Sequence, residues 1–312
     1  MLYLRHFSLR EAPYAITPDS AFFFPHEGAQ AALNTLLVAI RSGEGFLKIV
    51  GEVGCGKTVL CRQLLRSLQD ECVTAYLPNP DLGPKDLLLA LAQELGLKLA
   101  QSATRHRLLD ALHACLLAHA AQGRSVVVVI DEAQAIPLRT VESLRLLSNL
   151  ETEKRKLLQI VLMGQPELDH KLARVEIRQL LQRITFSEHL GPMALQRVPV
   201  YLKHRLAVAA VDAHTDTDVF EPDAARVLAH FSGGVPRIIN VLANKCLMLA
   251  YGENRHRVLS AHVHMAADDT AGATQTASWW DRLLGARRQL KSLRKAPVTP
   301  AQSAPDNPRP PA

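Results

Sequence analysis

The amino-acid sequence predicts an α/β protein built on a five-stranded parallel sheet, with a small all-helical part after it. Three observations carry the prediction. Apolar runs bounded by turn residues alternate with segments of helical spacing. The run Val126-Val-Val-Val-Ile130 is apolar throughout, which a strand covered on both faces requires. After Gly191-Pro192 the strand patterns stop while helical ones continue.

In chain order, strands are read at 45–50 (GFLKIV), 72–77 (CVTAYL), 125–130 (SVVVVI), 157–162 (LLQIVL) and 184–190 (ITFSEHL). Helical patterns lie between them at 57–69, 84–95, 104–121, 139–150 and 166–182. Strands alternating with helices imply parallel pairing with helices on both faces of the sheet. Further helical patterns follow at 194–210, 221–231, 236–251 and 260–267, enough for a compact second domain. The expected organisation is an N-terminal segment and leading helix over 1–43, an α/β domain over 44–191, a helical domain over 192–268 and a basic, Pro-rich tail over 269–312. The Pro-rich end, APVTPAQSAPDNPRPPA, cannot build a core and is expected to be disordered.

The 312 residues are 48% hydrophobic and 21% charged, enough for one large core and a smaller second one. No run of about 18 apolar residues occurs, and the N-terminus lacks the order of a secretory signal, so the cytoplasm is the expected location. Five cysteines without CxxC spacing argue against a disulfide framework or a zinc site and for buried apolar roles. The net charge of +6 is unevenly spread. From Thr276 onward seven basic residues face Asp281 and Asp306, a net of +5, which leaves the body at +1. A near-neutral body makes nucleic acid the less favoured partner, whereas the tail suits a polyanion or an anionic membrane. Within the tail, residues 278–295 drawn as a helix gather Trp279, Trp280, Leu283, Leu290 and Leu293 toward one side. That composition fits a membrane interface; docking on the helical domain or simple solubilisation is the alternative.

Chemistry enters at Gly51-Glu52-Val53-Gly54-Cys55-Gly56-Lys57-Thr58, between an expected strand and an expected helix. It fits G-x-x-x-x-G-K-[ST]. Glycines let the loop curl so that successive N–H groups point at phosphate oxygens, and the helix adds its positive end. Lys57 is expected to reach the β/γ-phosphates and Thr58 to ligate Mg²⁺. The acids Asp131 and Glu132 stand at the end of a buried strand, where α/β sheets bind ligands. Asp131 is expected to hold the Mg²⁺ shell and Glu132 to polarise a water against the γ-phosphate. The expected ligands are therefore ATP and Mg²⁺, with hydrolysis as the reaction.

Three further features narrow the class. Gln165, in GQPEL after the fourth strand, places an amide beside the acidic pair as a γ-phosphate sensor. Arg183, immediately before the fifth strand, is the better candidate for an arginine acting across a subunit interface, and Arg178 the second. Arg237, in SGGVPRIIN, stands in the first turn of a helix of the second domain. Asn79, in YLPNP, is a candidate to restrain Glu132, although an Asn-Pro turn explains it equally well. In this order these are the parts of an AAA+ ATPase: P-loop domain, helical lid, two sensors and a finger.

The stretches MLYLRHFSLREAPYAITPDSAFFF, GEGFLKIVGEVGCGKT, VIDEAQAIP, LSNLETEKRKLLQIVLMGQPELD, RQLLQRI and GGVPRIINVLANKCLMLAYGE resemble the ExeA/GspA group of secretion ATPases, more narrowly its MshM-type members in MSHA (type IV) pilus biogenesis. The resemblance covers about residues 1–267. It implies an AAA+ P-loop NTPase fold with a five-stranded sheet and a helical lid, Gly51 to Thr58 as the ATP loop, Asp131 and Glu132 as the Walker B pair, and Gln165, Arg183 and Arg237 as sensors and finger. It also implies a homo-oligomer, through Arg183, working with inner-membrane components of a pilus or secretion system. The N-terminal FSLREAPYAITPD is expected to close over the adenine, with Phe7 and Tyr14 lining the pocket or, alternatively, packing in a core. The competing reading is a DNA-associated ATPase of the TniB/MuB type, which shares the core and the GQPEL segment.

Overall fold

The computed structural model describes residues 3–147, 150–151, 156–270 and 272–273. A short first helix, α1 (Tyr3–His6), is followed by an extended stretch and then by α2 (Glu27–Arg41). Strands and helices then alternate: β1 (Phe46–Val50), α3 (Lys57–Leu68), β2 (Cys72–Leu77), α4 (Pro84–Glu94), α5 (Arg105–Ala121), β3 (Ser125–Ile130), α6 (Leu138–Leu147) and β4 (Leu158–Gly164). Two short helices, α7 (Glu167–Leu172) and α8 (Arg178–Leu181), lead into β5 (Ile184–His189). The helical domain comprises α9 (Val198–Ala209), α10 (Pro222–Ser232), α11 (Pro236–Gly252) and α12 (Ser260–Asp268).

All five strands pair in parallel, in the order β2-β3-β4-β1-β5. Residues alternate between two cores, as period-two side chains dictate. Leu47, Ile49, Val127, Val129, Val161 and Met163 face α2 and α3, while Phe46, Val50, Val126, Val128, Ile130, Ile160 and Leu162 face α4 to α8. Each fully buried Leu, Ile or Val removes enough apolar surface for about 1.5–3 kcal/mol. The interior strands are buried along almost their whole length, whereas the edge strand β5 is largely exposed. β4 runs two residues past its expected end because Gly164 still pairs with Val50. One charged residue interrupts the apolar run of β1: Lys48, 8% exposed, forms an ion pair with Asp169 of α7.

One expected helix is broken. Residues 166–182 form α7, a 3-10 turn at Val175–Ile177 and α8 instead of a single helix. Leu168, Leu172, Ile177 and Leu180 are buried, and the five-residue step from Leu172 to Ile177 does not fit a continuous helical face. An unbroken helix would have turned Glu176 inward. The break leaves Val175 75% exposed and brings Ile177 to the core.

For Phe7 and Tyr14 of the N-terminal segment, core packing is the alternative that holds. Phe7 and Tyr14 do not line the nucleotide cleft; both are buried in the core of the helical domain with Tyr201, Leu202, Leu206 and Leu242. The Tyr14 hydroxyl donates to the Leu202 carbonyl (2.9 Å), and Leu9 forms an isolated antiparallel bridge with Ala210. Large aromatic rings bury most area where two layers meet, so Phe7 and Tyr14 anchor the start of the chain to the helices, while Ala15 to Asp19 of the same stretch face the cleft.

Proline opens α9, α10 and α11, where its missing N–H costs nothing. α10 ends at Gly233 in the left-handed conformation (φ 57°), and a Cβ on Gly234 would lie 2.1 Å from the Met193 carbonyl oxygen. That turn aims the start of α11 at the end of the sheet.

At the junction of the two domains, Phe24 lies between Arg197 and His204, with His26 nearby. Burial lowers the pKa of both histidines; Arg197 adds to this at His26, and at His204 burial outweighs a bond to the Phe23 backbone, with a smaller contribution from Arg205 in the same direction as burial. Folded histidines that bind protons less readily than unfolded ones destabilise the fold as pH falls below the ordinary value near 6.5. Urea midpoints should therefore drop between pH 7.5 and 5.5, and a His204→Leu variant should show a flatter dependence. An equal slope for both proteins would count against this junction as the source.

Candidate functional site

The loop after β1 is shaped by what cannot fit beside it. A Cβ on Gly51 would lie 2.3 Å from the Leu190 carbonyl oxygen at the end of β5. Gly54 and Gly56 have φ of 84° and 98°, the left-handed region that favours glycine. α3 starts directly on this curl, with Gly56 as its N-cap. Lys57, only 5% exposed, donates to the carbonyls of Gly51 (2.6 Å) and Glu52 (3.1 Å). Cys55 is buried beneath the loop, and burial raises its thiol pKa.

Across the loop stands the end of β3. The Thr58 hydroxyl donates to Asp131 Oδ2 (2.8 Å), and the Tyr76 hydroxyl reaches the same oxygen (3.4 Å). A hydroxyl and a carboxylate side by side are hard oxygen donors, a set that fits Mg²⁺, which keeps several waters and takes few protein ligands. Among the described residues no cluster of three or more His, Cys, Asp or Glu could hold a metal ion by itself.

Glu132 adopts φ 50° and ψ 37°, a left-handed conformation uncommon for a side-chain-bearing residue. Its Oε2 accepts from Gln165 Nε2 (3.0 Å) and Gln134 Nε2 (2.5 Å). Burial pushes its pKa up, but the bonds from Gln165 and Gln134 and the charge of Lys57 outweigh it, so the carboxyl is held below its ordinary value. Gln134 escaped the sequence reading; the signal available was an amide two residues past the acidic pair in a turn of small residues.

The second wall comes from the helical domain. The Arg237 N–H donates to the Gly54 carbonyl (3.2 Å), and a Cβ on Gly54 would lie 2.6 Å from the Arg237 Cβ. Arg237 and Asn240 of α11, Tyr201 and Arg205 of α9 and the backbone stretch Ala15 to Asp19 enclose a cleft of about 220 Å³ with Val53, Gly54, Gly56, Lys57, Thr58, Glu132 and Gln165. Gly51, Glu52, Cys55 and Asp131 stand behind this lining rather than in it. Arg205, another residue missed from the sequence, is 7% exposed and donates to the carbonyl of Pro13, weakly to that of Ala15 and to the Tyr201 hydroxyl, with its cation over the Phe22 ring. It fixes the wall stretch to α9.

Two candidates lie elsewhere. Asn79 accepts the Asp81 N–H (3.4 Å) in an exposed turn and does not touch Glu132, so the turn accounts for it. Arg178 and Arg183 are exposed at the N-terminal end of β5. The six residues of β5 span about 20 Å at roughly 3.3 Å each, placing both at the opposite end of the sheet from the loop.

Comparison with known proteins agrees with this geometry. A family model described as an AAA domain matches residues 40–172. Among solved structures, the chain resembles the Aeropyrum pernix ORC2 protein in its ADPNP–ADP complexes, with a TM-score of 0.61 at 18% identity over 85% of this chain and 71% of that one. Cdc6p from Pyrobaculum aerophilum gives 0.61 at 15% identity over 84% and 70% of the two chains. The Thermotoga maritima RuvB branch migration motor gives 0.54 at 18% identity over 87% and 78%. These likenesses concern the fold, and with the loop, the acidic pair and the helical domain they define the class as an AAA+ ATPase.

In sequence the chain is 38% identical over 283 residues to General secretion pathway protein A of Aeromonas hydrophila, covering 91% of this chain and 51% of that protein. This identity and the matched AAA domain support an AAA+ ATPase of the ExeA/GspA type. The chain spans about half the length of the curated relative it matches.

The close approach of Gly54 to Arg237 gives a direct test. Alanine at 54 would face both a left-handed backbone, costing about 1–2 kcal/mol, and the start of α11. Gly54→Ala should weaken ATP binding at least about tenfold in calorimetry, equivalent to about 1.4 kcal/mol. Wild-type affinity would show that α11 does not need to dock on the loop.

Proposed function

We propose that this protein binds ATP with Mg²⁺ in the cleft between the sheet and the helical domain, hydrolyses it, and through that cycle supports MSHA-type (type IV) pilus biogenesis or related secretion at the inner membrane. The observation that carries the nucleotide reading is Lys57. The residue is 5% exposed, its ammonium group donates to two carbonyl oxygens, and among the described residues it forms no ion pair. A buried cation of this kind is costly until an anion meets it. The glycine curl and the start of α3 make that anion a phosphate chain.

Each residue then has a task. Lys57 and the loop N–H groups hold the β/γ-phosphate oxygens. Thr58 and Asp131 hold Mg²⁺, which when bound neutralises phosphate charge. Glu132 accepts the proton of the attacking water. Gln165 reads the terminal phosphate, and Arg237 couples its presence to the position of α11. Arg183, at the far end of β5, serves the cleft of a neighbouring subunit in a homo-oligomer, with Arg178 second to it.

The secretion reading rests on the kinship with General secretion pathway protein A, and the MSHA pilus on the sequence resemblance. The net charge of +1 before Thr276 disfavours nucleic acid as the partner. Among the described residues no helix is long and apolar enough to cross a membrane. Contact with an anionic membrane is assigned to residues 278–295, which lie outside the described residues, and the protein is placed in the cytoplasm, peripheral to the inner membrane.

Hydrolysis is tested by a pair of variants. Lys57→Ala should abolish tight ATP binding, whereas Glu132→Gln should keep binding within about threefold and lose turnover by the 10²–10⁴ typical of a general base. Wild-type turnover by Glu132→Gln would remove the base assignment.

Arg183→Ala should bind ATP normally and hydrolyse it roughly 10³-fold or more slowly, as loss of an arginine finger does. Mixing it with Lys57→Ala protein should restore part of the rate, because each subunit supplies what the other lacks. No recovery at any mixing ratio would place Arg183 outside the active site.

A further inference from the structure

Gln134 lies in the 3-10 turn Ala133–Ala135 that starts at Glu132. Both ends of its carboxamide are engaged. Nε2 donates to Glu132 Oε2 (2.5 Å), and Oε1 accepts the backbone N–H of Gln165 (3.0 Å). The chemistry of the partners fixes this orientation, since an ionised carboxylate only accepts and a backbone N–H only donates. A flipped amide would lose both bonds. The Gln165 side chain closes the triangle by donating to the same Glu132 oxygen (3.0 Å).

The surroundings are built for this amide. Lys171 of α7 donates to the carbonyls of Gln134 and Ile136, tying the turn to the next helix. Gly164 leaves the necessary space, because a Cβ there would lie 3.0 Å from Gln134 Oε1 and 2.9 Å from Leu168 Cδ2. Gln134 itself does not line the cleft, whereas Glu132 and Gln165 do.

We infer that Gln134 is a positioning residue for hydrolysis, holding the Glu132 carboxylate and the Gln165 backbone as one unit while the Gln165 side chain exchanges Glu132 for a terminal phosphate oxygen. The inference rests on the hydrolytic reading given above. Two amide donors engage Glu132 Oε2. When the Gln165 amide turns to the phosphate, Gln134 remains as the single donor, and Oε1 is presented to the water. The freedom of the carboxylate to face the water thereby depends on the presence of a terminal phosphate. Glu132, on a left-handed turn residue, would lose its aim without the second amide.

The test uses the full chain with Gln134→Met, which keeps length and volume but removes both bonds. ADP affinity, read with a fluorescent analogue, should stay within about twofold, since Gln134 does not line the cleft. Turnover should fall about 10- to 100-fold, within what positioning contributes to general-base catalysis. The loss should appear in kcat rather than in ADP affinity, because Gln134 touches Glu132 and the Gln165 backbone but not the cleft. The preference for ATPγS over ADP in binding should also shrink, as Gln165 loses its backbone anchor. Gln134→Glu is the second variant: it keeps an acceptor for the Gln165 N–H, sets a carboxylate against Glu132, and should be slower still. Wild-type kcat and an undiminished preference for ATPγS over ADP in Gln134→Met, with Glu132→Gln inactive, would overturn this inference and leave the hydrolytic reading standing. Loss of ADP affinity equal to the loss of rate would reduce Gln134 to a structural part and overturn it as well. Full turnover by Glu132→Gln would overturn both.

Discussion

Two close approaches that leave no room for a Cβ hold the phosphate loop. On one side Gly51 lies against the Leu190 carbonyl at the end of β5; on the other Gly54 lies against Arg237 at the start of α11. Because interiors are close-packed and transmit displacement, the loop cannot move without moving the sheet edge, the helical domain or both. The lysine, the threonine and the acidic pair take their positions from that frame. The Met193–Gly234 contact, where another Cβ would not fit, extends the frame into the helical domain itself.

The start of the chain ties the two bodies together a second time. Tyr3, Phe7, Leu9 and Tyr14 are core residues of the helical domain, while α2, a few residues further on, packs on the sheet. The stretch between them forms one wall of the cleft, tethered to α9 by Arg205. A ligand that fills the cleft therefore touches the sheet, the helices and the strap joining them. Any change in the angle between the domains is felt by the strap as well as by α11.

Much of this was legible in the sequence, for physical reasons. A buried parallel strand must be apolar on both faces, so β3 and β4 announce themselves, and the glycine loop is readable because its chemistry is local and consecutive. What escaped was non-local or conditional. Arg205 is satisfied by backbone carbonyls of Pro13 and Ala15 and by a ring, none of which leaves a trace in its own neighbourhood. Gln134 reads as one more polar residue in a turn until Gln165 arrives from β4 to meet it. The broken segment between α7 and β5 kept an overall helical composition, and only the five-residue step between buried positions betrays the break. Phe7 and Tyr14 show how an aromatic beside a ligand and an aromatic in a core look alike until burial separates them.

Cys55 is an unexpected residue for the middle of a phosphate loop. A thiol at a positive helix end beside a lysine is where thiolates form and oxidants attack. Here the side chain is 1% exposed and turned into the core shared by α2 and α3, and burial raises its pKa against the pull of Lys57. The sulfur stays protonated and out of reach of peroxide or a second thiol. The loop thus carries an oxidisable atom that packing shields from solvent.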